Sequence, residues 1–165
     1  MKTKTGSVLV VAAALYPCWL GMMAVHEAGH VLHAWASGGV VSKVRVPLVG
    51  FSITELSSNP RPRFVAWGGP LWGGLLPLAA WAGWCAFRRP GLSGAQFFAG
   101  FCLIANGAYL GVGALTRAGD AADLLKRETP AWALIAFGII AMTAGLYLWH
   151  RLGERPIPSP LAGEG

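Results

Sequence analysis

Two histidines and a glutamate near the end of an apolar stretch have the spacing of a metal site. Residues 26–30 read His-Glu-Ala-Gly-His, an HExxH pattern. Side chains four residues apart lie on one face of a helix, so His26 and His30 can bind one ion, and Glu27 beside them can take a proton from a water on that ion. On zinc, such a water has a pKa of about 7. The motif therefore predicts a zinc site with hydrolytic chemistry.

The composition places this motif in a membrane protein. Of the 165 residues, 55% are hydrophobic and 12% are charged, against roughly 45–50% and about 25% in soluble domains. The net charge is +6, but the basic residues are scattered singly or in pairs, which is typical of membrane-interface anchors rather than of a nucleic-acid partner. A carboxylate such as Glu27 costs roughly 3 kcal/mol at the centre of a membrane helix, so its presence there indicates a function.

Four stretches have the length and composition of membrane-spanning helices. The ranges 5–25, 64–87, 90–116 and 129–149 contain no Asp, Glu, Lys, Arg or His, and a helix needs about 20 apolar residues to cross a bilayer. The first helix is expected to continue to about Ala36, and the apolar alternation in 41–56 predicts a short β-hairpin. We therefore predict an all-α polytopic membrane protein with about four transmembrane helices and a short β-hairpin after the first.

We expect no appended soluble domain. We expect a single membrane-embedded domain over residues 1–155 and a disordered C-terminal tail over 156–165. The three cysteines form no CxxC pair and are interpreted as small buried hydrophobic residues.

A third protein ligand is needed for a hydrolytic zinc site. The first and third predicted spans run in the same direction, so their C-terminal ends reach the same membrane face. Asp120 and Asp123 follow directly on the third span and therefore lie on the side of His26 and His30. Both aspartates also suit a helix start, with Asp120 as N-cap and Asp123 in the first turn.

At four places, one of them the hairpin-like segment after the first helix, the chain resembles the site-2 proteases, a family of intramembrane zinc metalloproteases. The first helix carries His-Glu-x-x-His followed by Ala34 and Gly38, like the family's HExxHxxxAxxxG. Residues 69–71, Gly-Pro-Leu, look like its Gly-Pro-(Leu/Ile) segment, and residues 120–125 are similar to its Asp-Gly-Gly-x-(Ile/Leu)-Leu element. The resemblance covers about residues 8–125.

The resemblance implies a ligand set and an activity. It makes Asp120 the third ligand of a Zn²⁺ ion beside His26 and His30, with Glu27 as the general base. It implies hydrolysis of peptide bonds within or near transmembrane segments of a membrane-protein substrate, by a multi-pass protein of the plasma membrane. By analogy with the family, the segment 41–56 is expected to pair with the extended substrate as an edge strand.

The chain also departs from the family pattern. Gly119 stands where the family has Leu, Ala121 and Ala122 replace its two glycines, and the preceding proline-rich stretch is absent. The missing glycines support an alternative, a catalytically inactive relative that acts as a membrane-embedded binding or regulatory protein, whereas the intact Glu27 argues against it. Asp123 stays the competitor of Asp120 for the third ligand position.

Two further polar residues are candidates with weaker signals. His33 lies three residues after His30 and is either a hydrogen-bond partner behind a ligand, a fourth ligand, or an interfacial histidine at a helix end. Asn106, midway along the third span, can contact the substrate backbone or an oxyanion, or serve helix packing. A membrane di-iron site is disfavoured, because it needs about eight histidines and carboxylates and the chain has four His.

Overall fold

The computed structural model describes residues 4–87 and 93–154, and the predicted tail over 156–165 lies outside this range. The elements are α1 (Lys4–Ala36), β1 (Val40–Arg45), β2 (Ile53–Ser58), α2 (Pro62–Phe87), α3 (Ser93–Thr116), α4 (Gly119–Lys126) and α5 (Ala131–Gly153). The prediction of a mostly helical chain with a short hairpin after the first helix is confirmed.

Two helical stretches in the described ranges are long and apolar enough to cross a membrane. They are Gly94–Thr116 in α3 and Ala131–Leu152 in α5. The other two predicted spans fall in α1 and α2, which have 33 and 26 residues and so have the required length. Glycines, prolines and tryptophans lower the mean hydropathy of α2.

Glycines bring α3 and α5 into direct backbone contact. A Cβ placed on Gly107 would lie 2.9 Å from the carbonyl oxygen of Gly138, and one placed on Gly138 would lie 2.8 Å from that of Gly107. A second crossing point, Gly100 against Gly145, is equally close, because a Cβ on Gly145 would lie 2.6 Å from the Gly100 carbonyl. This is the small-residue packing that helices use in lipid.

A similar approach joins α1 to α2 beside the HExxH motif. A Cβ on Gly29 or on Gly68 would collide with the backbone of the other residue. Because these glycines let the two backbones touch, the first turns of α2 lie directly against the motif. The carbonyl of Val65 and the α-carbon of Gly69 can therefore reach the two histidine rings.

The hairpin is antiparallel and folds back along α1. Val44 lies opposite Thr54 in its register. Near the tip, the Tyr16 hydroxyl donates to the Leu48 carbonyl at 2.9 Å, and the Trp19 and Phe51 rings meet edge to face with centroids 6.1 Å apart. The tip thus extends along α1 towards the N-terminus of that helix.

The short helix α4 turns sharply back after α3. Arg117 and Gly119 both have a φ of 55°, and the N-cap is Ala118, so Asp120 lies in the first turn and is not the N-cap. Ala121 and Leu124 are buried against α3, in a cluster with Leu110, Ala114 and Leu134. This apolar face anchors α4 and directs Asp120 towards α1.

Candidate metal centre

Three side chains from two distant parts of the chain converge on one point. The Nε2 atoms of His26 and His30 are 3.2 Å apart, and Asp120 Oδ2 lies 2.9 Å from the first and 3.2 Å from the second. Both histidines are buried, with 7% of each residue exposed. These three residues form a group that could hold a metal ion.

The spacing of the three atoms fits a tetrahedral ion. With ligand bonds of about 2.0–2.1 Å, two corners of a tetrahedron lie about 3.3 Å apart, close to the observed 2.9 and 3.2 Å. Gly69 closes one side of the group, because a Cβ there would lie 2.5 Å from His26 Nε2 and would also collide with His30 Nε2. The residues therefore fit a bound metal, and only a glycine leaves room for their rings.

The orientation of His26 is set by an asparagine behind it. Asn106 Nδ2 donates to the Cys102 carbonyl at 2.9 Å, which can only accept, and this directs Asn106 Oδ1 at His26 Nδ1 at 2.6 Å. The proton of a neutral His26 is therefore on Nδ1, and the Nε2 lone pair points into the group. Metal-binding histidines are held in this way by a hydrogen bond from the other ring nitrogen.

His30 is oriented in the same sense by the backbone of α2. Its Nδ1 lies 2.8 Å from the Val65 carbonyl oxygen, so Nδ1 donates and Nε2 is left with a lone pair. The Gly69 amide nitrogen is farther from Nδ1, at 3.3 Å. Because the closer Val65 carbonyl can only accept a hydrogen bond, the proton of a neutral His30 is on Nδ1.

Three acceptor atoms therefore face one another at the centre of the group. In the neutral tautomers, both Nε2 atoms present lone pairs to each other and to a carboxylate, an arrangement that repels unless a proton or metal ion lies between them. Burial would raise the pKa of the Asp120 carboxyl, but a histidine that also carries a proton on Nε2 donates it to Oδ2, and these hydrogen bonds from His26 and His30 outweigh burial and hold that pKa well below its usual range. Asp120 is thus ionised at neutral pH, the form that binds metals.

Asp120 is placed by a tyrosine that the sequence analysis missed. The Asp120 amide donates to the Tyr109 hydroxyl at 3.3 Å, and the Tyr109 ring meets the His26 ring edge to face with centroids 5.7 Å apart. A Cβ on Gly119 would collide with the Tyr109 hydroxyl, so the glycine found where the site-2 proteases have leucine accommodates this tyrosine. The available signal was spacing, since Tyr109 follows Asn106 by three residues on a helix.

Glu27 lies beside the group and is almost fully buried, with 3% of its surface exposed. Its Oε2 accepts a hydrogen bond from the Thr54 hydroxyl on β2 at 2.5 Å. A cavity of about 630 Å³ is lined by both of these residues, by the three residues of the metal group, and by apolar side chains that include Trp19, Met22 and Phe51. The cavity gives the carboxylate and the metal group a common space.

The two remaining candidates lie outside the group. His33 Nδ1 donates to the Phe64 carbonyl at 2.7 Å, and its Nε2 accepts from the Trp72 indole at 3.1 Å, so both ring nitrogens join α1 to α2. Asp123 is exposed and lies 3.4 Å from the Lys126 ammonium. The structure thus brings Asp120, and not Asp123, to the histidines.

No family model, curated protein or solved structure matches this chain.

Proposed function

We propose that this chain is an intramembrane zinc metalloprotease of the site-2 type, which hydrolyses peptide bonds within or near transmembrane segments of membrane proteins. The observation that carries the proposal is the buried carboxylate of Glu27 next to the converged His26, His30 and Asp120, all lining one cavity. A structural metal site does not need a carboxylate beside its ligands, whereas hydrolysis of a peptide bond needs a general base.

Zinc is the metal that the donor set favours. Two imidazole nitrogens and one carboxylate oxygen suit zinc, whereas magnesium and calcium prefer oxygen ligands alone. Three protein ligands with one position left free are typical of catalytic rather than structural zinc sites. Bound here, zinc would polarise the scissile carbonyl and lower the pKa of water to about 7.

The residues of the chain account for the proton movements of peptide hydrolysis. Because Thr54 holds Oε2 of Glu27, Oε1 is the oxygen that takes a proton from the attacking water. As the water oxygen bonds to the carbonyl carbon and the C–N bond breaks, Glu27 delivers this proton to the leaving amine nitrogen. Asn106 and the Val65 carbonyl hold the two rings in place meanwhile.

We further propose that α1 and α2 cross the membrane together with α3 and α5, as a four-pass protein of the plasma membrane. Large apolar side chains on α5 and α3, among them Ile139, Ile140 and Leu115, are 63–73% exposed, which suits contact with lipid. The hairpin forms part of the cavity wall, so an extended substrate paired with its edge would lie beside the metal group.

Metal analysis tests the site. Purified wild-type protein in detergent is expected to hold about one zinc per chain, and the His26→Ala and Asp120→Ala variants are expected to lose it. Asp123→Ala is the matched control on the same helix and should keep its zinc. Zinc retained in Asp120→Ala would contradict the proposed ligand set.

Cleavage tests the reaction. The zinc-loaded protein is co-reconstituted in liposomes with a panel of single-span reporter proteins, and products are followed by electrophoresis and mass spectrometry. Glu27→Gln should retain zinc and lose cleavage. Cleavage that persists in this variant would refute the role of Glu27, and an intact panel with zinc-loaded wild-type protein would favour the inactive, partner-binding relative.

A further inference from the structure

The hydrogen bond between Thr54 and Glu27 joins the hairpin to the centre of the site. Glu27 is on α1 and Thr54 is on β2, and 27 residues separate them in sequence. A carboxylate is only an acceptor, so the Thr54 hydroxyl must donate. Among the described residues, the Thr54 hydroxyl is the one donor that forms a hydrogen bond with the Glu27 side chain.

The strand places Thr54 for this contact. Successive side chains of a strand point to opposite faces: Thr54 and Leu56 line the cavity, as does Ile53 where β2 begins, whereas Glu55 pairs with Arg45 of β1. A shift of β2 by one residue would exchange these faces and remove the donor. The register with β1 is thus what brings a hydroxyl to Glu27.

Three contacts along one face of α1 hold the hairpin against this helix. Tyr16, Trp19 and Glu27 lie within one face of the helix, and they contact Leu48, Phe51 and Thr54 of the hairpin in the same order. Of the three contacts, the one at Glu27 is the innermost and involves a charged group. A movement of β2 away from α1 would therefore remove the contact that orients this carboxylate.

We propose that Thr54 is a positioning residue for Glu27, whose hydroxyl fixes Oε2 so that Oε1 faces the water, and that docking of the hairpin on α1 thereby sets the base in its working orientation. The proposal rests on the protease function proposed above. It assigns to the hairpin a role in catalysis that is separate from pairing with substrate.

Three variants test the hydroxyl. Thr54→Val keeps the shape and removes the donor, Thr54→Ser keeps the donor, and Ser57→Ala is the matched control, since its hydroxyl contacts Val40 within the hairpin. Misplacing a catalytic group by about 1 Å can cost roughly a hundredfold in rate. We expect Thr54→Val to lower kcat by about 10- to 100-fold with KM and zinc content unchanged, Thr54→Ser to restore kcat, and Ser57→Ala to have no effect.

A second measurement does not depend on activity. In the metal-free protein, hydrogen exchange of the amides in residues 48–56 should rise by roughly tenfold in Thr54→Val and in Glu27→Ala, and no further in the double variant, because both single changes remove the same bond. Additive or absent effects would overturn the docking contact.

The outcomes separate the two proposals. If wild-type protein cleaves and Thr54→Val cleaves at the same kcat, the positioning role is overturned while the protease function stands. If wild-type protein does not cleave, the protease function fails, and the exchange measurement still decides whether Thr54 holds Glu27.

Discussion

Replacing Gly69 with alanine should weaken metal binding by His26, His30 and Asp120, with little effect on the fold. A Cβ at this position would lie 2.5 Å from His26 Nε2, whereas real Cβ contacts stay beyond 3.0 Å. The rings must therefore retreat by at least about 0.5 Å, and metal sites tolerate ligand displacements of only about 0.2 Å. The Gly69→Ala variant should thus lose one ligand or more.

The size of the effect follows from the binding free energy of zinc. A structural zinc contributes about 10–16 kcal/mol over four ligands, so one lost ligand costs about 3 kcal/mol, or roughly a hundredfold in affinity. Gly74→Ala is the matched control on α2, because its Cβ meets only the Leu103 side chain, at 3.3 Å. It should keep wild-type zinc affinity and gain up to about 1 kcal/mol of helix propensity.

Zinc affinity is measured in detergent by competition with a chromophoric chelator, and thermal melting is recorded in excess chelator so that stability is compared without metal. Equal zinc affinity in Gly69→Ala and the wild type would refute the assignment of the two Nε2 atoms as ligands. A loss of affinity in Gly74→Ala as large as in Gly69→Ala would show that packing of α2, rather than contact with the rings, controls binding.

Three further predictions follow from the contacts around the site. Asn106→Ala removes the acceptor behind His26 and should weaken zinc binding by about 10- to 100-fold; unchanged affinity in the same competition assay would exclude this orienting role. His33→Ala should keep wild-type zinc stoichiometry, because both of its ring nitrogens bond to α2; loss of zinc would make it a ligand. Thr129→Val should raise the stability by about 1 kcal/mol, because the buried Thr129 hydroxyl has no hydrogen-bond partner among the described residues, and a lower melting temperature would count against this.

The parts of the site that were predictable depend on local periodicity or on counting spans. His26 and His30 share a face because they are four residues apart, and Asp120 reaches them because α1 and α3 end on the same side. Periodicity also places His33 on nearly the same face of α1, but it does not predict which other helix packs against that face. In the structure α2 provides those neighbours, and they engage both nitrogens of His33.

The contacts that were not predictable arise from tertiary packing. The Val65 carbonyl reaches His30 only because Gly29 and Gly68 let two helix backbones touch, and no pattern within α2 marks a carbonyl as a partner. Likewise, the bond from Thr54 to Glu27 depends on how the hairpin folds back along α1. A period-two pattern predicts the strand but not the surface on which it docks.

The glycines near the site have two different structural roles. Gly107 in α3 faces the backbone of Gly138 and lets these two helices pack closely. Gly69, Gly73 and Gly119 instead face side chains of the centre, namely the two imidazoles, Asn106 and Tyr109. A Cβ at any of these three would displace the two imidazoles, the asparagine that orients His26, or the tyrosine that places Asp120. Glycine at position 119 is therefore compatible with the arrangement of the centre, because the Tyr109 hydroxyl occupies the space that a side chain there would need.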